Sequence, residues 1–180
     1  EAIISHEAMF DFYDGGGLDA TFLGLAQLDQ YGNVNVSQFG PKVTGPGGFI
    51  NISQSSKKVV FVGQFTVGSK EKVEDNKLVI TEQGRAKKVI NDVEQITFSG
   101  KFAYENNIPV LYVTERAVFD IFEGKLRLIE IAPGVDLEKD ILAWMDFEPL
   151  IAEDLKEMDP SIFQEEWGGL KRIIDEKRAE

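Results

Sequence analysis

The sequence contains no cysteine and one histidine, His6. Without thiols there is no disulfide framework and no thiolate nucleophile, a composition that fits a reducing cytoplasm. A structural zinc site lacks its ligands, and a Ser-His-Asp triad would have to be built on a residue close to the start of the chain. Basic residues are also scarce, 19 against 31 acidic ones, for a net charge of -12. That balance argues against a nucleic-acid footprint or an anionic membrane surface, with Lys57-Lys58 and Lys87-Lys88 as local exceptions. The acids around Asp11, Asp14 and Asp19 lack the alternating oxygen ligands of a calcium loop, so no metal site is expected. No run approaches eighteen apolar residues and no basic segment opens the chain, which predicts neither a membrane span nor a signal peptide. The first residue is Glu1 rather than methionine, and an upstream segment is expected to have been removed. What is present is apolar: 180 residues, 43% hydrophobic with 13 phenylalanines, enough for one core and one domain with a small excursion.

The densest local signal is the glycine loop Gly45-Pro46-Gly47-Gly48. Its glycines give the backbone access to positive φ and to close contact with a ligand. A helix over 48–55 would aim the orphan amides of its first turn into that loop, favouring an anion or a developing oxyanion. The plainer reading is a tight turn before a core strand.

Along the chain, residues 9–13 read as a short strand running into Gly15-Gly16-Gly17. Residues 15–20 satisfy G-x-G-x-x-A, the dinucleotide-binding pattern. Asp14 and Asp19 would crowd a pyrophosphate there, so the segment reads as a turn. Residues 22–29 and 34–37 form a hairpin that delivers the chain to the glycine loop, and residues 58–63 are a strand buried on both faces. Short polar arms at 70–74, 78–81 and 87–90 predict a solvent-exposed β excursion across residues 68–98. A short helix over 101–106, strands over 110–114 and 125–131, a helix over 137–145 capped by Asp136, and a helical acidic tail beyond Pro149 complete the pattern. Glu115-Arg116 interrupts two apolar runs. It is either a strand end reaching solvent or an acid held near a ligand site. The expected fold is α/β, an open and mainly parallel sheet flanked by helices.

Several blocks carry a resemblance: residues 10–19, 23–27, 32–37, the run from Gly45 to Ile52, and Tyr112-Val113-Thr114-Glu115-Arg116-Ala117-Val118-Phe119. In this order they resemble the C-terminal, beta-subunit-like portion of family I CoA-transferases, nearest the short-chain acetate or propionate branch, over roughly residues 7–150. The resemblance implies a truncated C-terminal transferase domain over 1–150, with 151–180 as a helical tail of the same domain. It implies a ping-pong reaction in which an enzyme glutamate passes through an anhydride to a glutamyl-CoA thioester that a second carboxylic acid resolves. Acyl-CoA and a short-chain acid are then the substrates, coenzyme A is handled as substrate, and no cofactor is held permanently.

By position in the motif, the resemblance implies that Gly47 supplies an oxyanion-hole amide, with Gly45, Gly48 and Phe49 shaping the loop. Asn33, Asn51 and Gln54 are candidate polar contacts, with turn and cap satisfaction as the alternative, and Glu115 would order the site. The sequence departs from the family at one point, because the Glu-x-Gly-x-x-Gly loop bearing the nucleophile occurs nowhere in it. Neither Glu1 nor Glu7 has the following glycines. The chain is therefore expected to be inactive alone, to need the missing N-terminal domain of the same enzyme, and to work in a homo-oligomer. An acyl-CoA hydrolase of the same fold and a catalytically empty CoA- or partner-binding domain remain the alternatives.

Overall fold

The computed structural model describes residues 3–179, and Glu1, with the expectation attached to it, lies outside them. The first element corrects the strand expected at 9–13: it is a helix, α1 (His6–Asp14), capped by the Ser5 hydroxyl, which accepts the Ala8 N–H at 3.3 Å. Five apolar-rich residues do not distinguish helix from strand by periodicity. Here the aromatic rings decide, with His6–Phe10 and Phe10–Tyr13 centroids 4.7 and 5.5 Å apart at helical spacing. The three glycines thus follow a helix and precede a strand, the reverse of the dinucleotide-binding order, and form a turn.

The chain then gives β1 (Thr21–Gly24), the small hairpins β2 (Gln27–Leu28) with β3 (Val34–Asn35) and β4 (Gln38–Phe39) with β5 (Lys42–Val43), and α2 (Phe49–Ser55). Next come β6 (Val59–Val62) and the hairpin of β7 (Lys70–Glu74) with β8 (Lys77–Glu82). Asp75 and Asn76 both take positive φ in its two-residue turn, the conformation whose twist suits an antiparallel pair. Residues 83–98 do not supply a further arm. They are loop, stitched into the core by single bridges from Lys87 to Thr66 and from Val89 to Leu28 and Met145.

Beyond it lie α3 (Gly100–Glu105), β9 (Val110–Val113), β10 (Ala117–Phe122) and β11 (Lys125–Ile131). The helix expected at 137–145 is a π-helical turn, Leu137–Ile141, continued by a tighter 3-10 turn, Leu142–Trp144; Asp136 caps it as its position predicts, accepting the Lys139 N–H at 2.8 Å. The helical reading beyond Pro149 is corrected over its first part by β12 (Leu150–Glu157), half-buried only at Leu150, Ala152 and Leu155. Its acidic exposed positions hide the strand's signal, and what holds it is pairing with β11. The tail ends in α4 (Gly169–Ala179), which buries no residue.

Six strands form one mixed sheet in the order β1-β6-β9-β10-β11-β12. The pairs β1/β6, β6/β9 and β11/β12 are parallel, and the two involving β10 are antiparallel. On one face Val59, Phe61, Tyr112 and Phe119 are fully buried. The Phe61 ring meets those of Phe49, Tyr112 and Phe98 at 5.7, 5.4 and 4.9 Å. Each such ring contributes about 1.5–3 kcal/mol by burial. No helix among the described residues is long and apolar enough to cross a membrane.

Candidate active site at the carboxyl edge of the sheet

The parallel strands β1, β6 and β9 all finish at one edge, at Gly24, Val62 and Val113. Ligands in open α/β sheets bind beyond such an edge. The chain from β1 returns to the start of β6 through α2, so the N-terminus of α2 faces the carboxyl edge. Stacking of Phe49, the first residue of α2, on Phe61 in the second half of β6 fixes that placement. The glycine loop and Thr114-Glu115-Arg116, which follows β9, therefore share one edge of the sheet.

Within the loop the amides are divided. The N–H groups of Thr44 and Gly45 both donate to the Ser37 carbonyl, at 2.9 and 3.1 Å, and that of Phe49 donates to Pro46 at 3.0 Å. Those of Gly47 and Gly48 have no acceptor among the described residues. Gly47 is exposed, sits at φ +53°, and a Cβ there would meet nothing within 4 Å. Only its backbone conformation demands glycine. Gly48 is different, because a Cβ would lie 2.8 Å from the Phe10 ring and push α1 off α2.

The other expected contacts divide the same way. Phe49 is buried and serves as the anchor under the loop. Asn33 is buried and fully engaged: its amide nitrogen donates to Asp29 at 2.9 Å and its oxygen accepts the Gly100 N–H at 2.9 Å. Asn51 ties α2 to α1, donating to the Asp14 carboxylate at 2.9 Å. Gln54 has a buried side-chain nitrogen without a partner among the described residues.

Glu115 and Arg116 correct the solvent reading. The Arg116 side chain is 0% exposed and that of Glu115 21%. A fully buried guanidinium demands partners. Arg116 donates to Gln83 Oε1 at 2.9 Å and to the Asp140 carbonyl at 3.1 Å, and reaches Glu71 at 3.4 Å. Its Nε lies 3.3 Å from Glu115 Oε1, close enough for an ion pair but off line for a hydrogen bond. Glu115 also accepts the Phe65 N–H at 2.9 Å, the first residue pairs beyond β6 thus being pinned to those beyond β9. Burial raises the Glu115 pKa above the ordinary carboxylate value, the Phe65 N–H and Arg116 opposing it. The neighbouring Lys88 ammonium is shifted down by its own burial, with Glu115 opposing.

Sequence reasoning missed the partners Glu71 and Gln83, which come from the excursion read as a wet face. It also missed a polar cluster that ties the chain ahead of the glycine loop to Glu94. Gln27 donates to Glu94 at 2.7 Å, Asn35 donates to Gln27 at 2.6 Å, and Glu94 accepts the Gly40 N–H. Only the charged pair breaking two apolar runs signalled any of this. A cavity of about 440 Å³ lined by Lys58, Tyr104, Pro109 and Asp120 lies at the opposite, amino edge, away from the loop. Among the described residues no group of three potential ligands can hold a metal ion.

No family model matches the chain. It is 56% identical over 179 residues to the caffeate CoA-transferase of Acetobacterium woodii, a match covering 97% of this chain and 34% of that protein. It is 33% identical over 153 residues to the acetate CoA-transferase subunit beta of Haemophilus influenzae, covering 84% of this chain and 59% of that subunit. A crystal structure of the Escherichia coli O157:H7 acyl-CoA transferase YdiF, a thioester complex with CoA, superposes with a TM-score of 0.91 at 51% identity. That match covers 94% of this chain and 33% of YdiF. The chain thus spans about a third of the length of the caffeate enzyme and of YdiF.

Proposed function

We propose, on the premise that this chain is homologous over nearly all its length to a segment of the CoA-transferases, that it is the oxyanion-stabilising half of a transferase site. The enzyme moves CoA between a short-chain acyl-CoA and a carboxylic acid. The nucleophilic glutamate comes from the remaining part of the enzyme, which works as a homo-oligomer in the cytoplasm. Its carboxylate attacks the thioester carbonyl and expels CoA thiolate, giving an acyl-glutamyl anhydride. The thiolate then attacks the glutamyl carbonyl, releases the first acid as carboxylate and leaves glutamyl-CoA, and an acceptor carboxylate runs the sequence in reverse.

Each attack builds negative charge on a carbonyl oxygen, and fixed backbone donors stabilise it without reorganising. The observation that carries the assignment is that the N–H groups of the exposed Gly47 and of the half-buried Gly48 have no acceptor among the described residues, while those of Gly45 and Phe49 are engaged. Gly45, Gly48 and Phe49 hold the loop in shape, and Glu115, locked to Phe65 and Arg116, orders the edge between β6 and β9. Asn51 and Gln54 flank the loop on α2, whereas the hydrogen bonds of Asn33 give it a turn role.

The test is Gly47→Val in the complete enzyme. The left-handed φ costs a valine about 1–2 kcal/mol of stability, whereas displacing an oxyanion donor lowers turnover about 10²- to 10³-fold. Turnover that falls only in step with stability would return the loop to a structural role.

A further inference from the structure

Residues 87–89 run as an extended segment across the carboxyl edge, Lys87 bridged to Thr66 beyond β6 and Val89 bridged to Leu28 and Met145. The Leu28 N–H donates to the Lys88 carbonyl at 2.9 Å. Side chains alternate along such a segment. Val89 is buried in the core, and Lys87 donates to the Met145 carbonyl at 2.8 Å and to Asp146 at 2.9 Å. Lys88 turns to the other side, into the field of Glu115. Glu115 does not take it up, because its oxygens are held by the Phe65 N–H and by Arg116. Among the described residues the Lys88 ammonium makes no hydrogen bond and no ion pair, although its side chain is half-buried and desolvation shifts its pKa down. A partly desolvated charge without a partner costs free energy, and such groups concentrate where a ligand supplies the partner.

We propose that Lys88 is the residue of this half-site that holds the carboxylate of the acceptor acid. The inference rests on the transferase reading. The acceptor arrives as an anion, and a chain of net charge -12 with Glu71 and Glu115 at this edge repels it. A cation at the edge offsets that repulsion. Lys87 and Arg116 are already engaged, and Lys42 and Arg85 are exposed, where water and salt screen their charge. Lys88 is half-buried and free. Its ammonium is also the right shape for the step, because a compact point charge grips one carboxylate oxygen and leaves the other to attack the glutamyl carbonyl. A guanidinium fork would engage both oxygens. The phosphates of CoA, the other anions of the reaction, lie a pantetheine arm away from the thioester, whereas Lys88 shares the edge with the glycine loop that receives the reacting carbonyl.

The experiment uses the complete enzyme, with acetyl-CoA as donor and propionate as acceptor. Lys88→Met is expected to raise the KM for propionate about 10- to 100-fold, the loss of one charge-assisted hydrogen bond, and to leave that for acetyl-CoA within about threefold. Lys88→Arg, which keeps the charge, is expected to recover most of the propionate affinity, and a loss as large as that of Lys88→Met overturns the proposal. A structural pairing with Glu115 predicts instead a lower melting temperature for Lys88→Met with both KM values unchanged, which also overturns it. So does a KM for acetyl-CoA that rises as much as that for propionate, which would assign Lys88 to a CoA phosphate. A fall in kcat alone overturns it in favour of contact with the nucleophilic glutamate. Calorimetric titration of propionate into the CoA-bound enzyme separates this inference from the reading it rests on. Propionate binding that Lys88→Met abolishes, in an enzyme that transfers no CoA, keeps the subsite and rejects the transferase reading. CoA transfer with propionate binding unchanged in Lys88→Met rejects the subsite alone.

Discussion

Arg116→Met tests the buried network at the carboxyl edge. The substitution keeps much of the side chain's length but removes the guanidinium that holds Gln83, the Asp140 carbonyl, Glu71 and Glu115 together. Removing one partner of a buried ion pair costs about 3–5 kcal/mol, most of it from acids left without a counter-charge. The Glu71 and Glu115 side chains remain 12% and 21% exposed, so water reaches them and the lower end, about 3 kcal/mol, is expected. With a urea slope of about 2–3 kcal/mol/M, the unfolding midpoint of the chain falls by about 1 M.

The loss should also depend on pH in a definite sense. The folded-state pKa of Glu115 lies above its ordinary value, so in the window between the two the folded chain binds more protons than the unfolded one. Stability therefore falls as pH rises through that window. Arg116 opposes the shift, and removing it raises the folded pKa further and widens the window. The destabilisation should be smaller at pH 5 than at pH 8. Adding Glu115→Gln, which still accepts the Phe65 N–H, should recover part of it at pH 8. Urea midpoints read by circular dichroism that move by less than about 0.3 M, or a loss that grows as pH falls, would refute the reasoning.

Gly100→Ala should cost about 3 kcal/mol or prevent folding, because its Cβ would sit 2.7 Å from the Gly32 backbone; a urea midpoint within 0.3 M of the parent would contradict this. Asn33→Ala should cost about 1–3 kcal/mol by orphaning the Gly100 N–H, while the Asp29 carboxylate loses one donor and keeps the N–H groups of Tyr31 and residue 33. In the complete enzyme it should leave the KM for acyl-CoA unchanged, and a selective rise in KM would make Asn33 a substrate contact after all. Gly48→Ala should loosen α1 from α2 through the Phe10 ring, seen as faster hydrogen exchange over residues 6–14, whereas Gly47→Ala, which meets open space, should not.

What the sequence determined by itself was local. The cap at Asp136, the short helices α2 and α3, and the apolar strands β6, β9 and β11 follow from capping and from apolar runs within a few residues. The order of its motif blocks also pointed to the CoA-transferases. Tertiary structure decided whatever depends on a partner far along the chain. Residues 9–13 became a helix because Phe10 and Tyr13 align on one side of it, and residues 150–157 became a strand because β11 offers an edge. Arg116 is buried because Glu71 and Gln83 arrive from the excursion to meet it. The glycine loop shows the division most directly. Its composition announced a loop that can take positive φ, but the Ser37 carbonyl, eight residues before Gly45, engages the Gly45 amide, whereas that of Gly47 has no acceptor among the described residues. Periodicity and propensity report on neighbours in sequence, and the availability of a buried charge or a free N–H is set by neighbours in space.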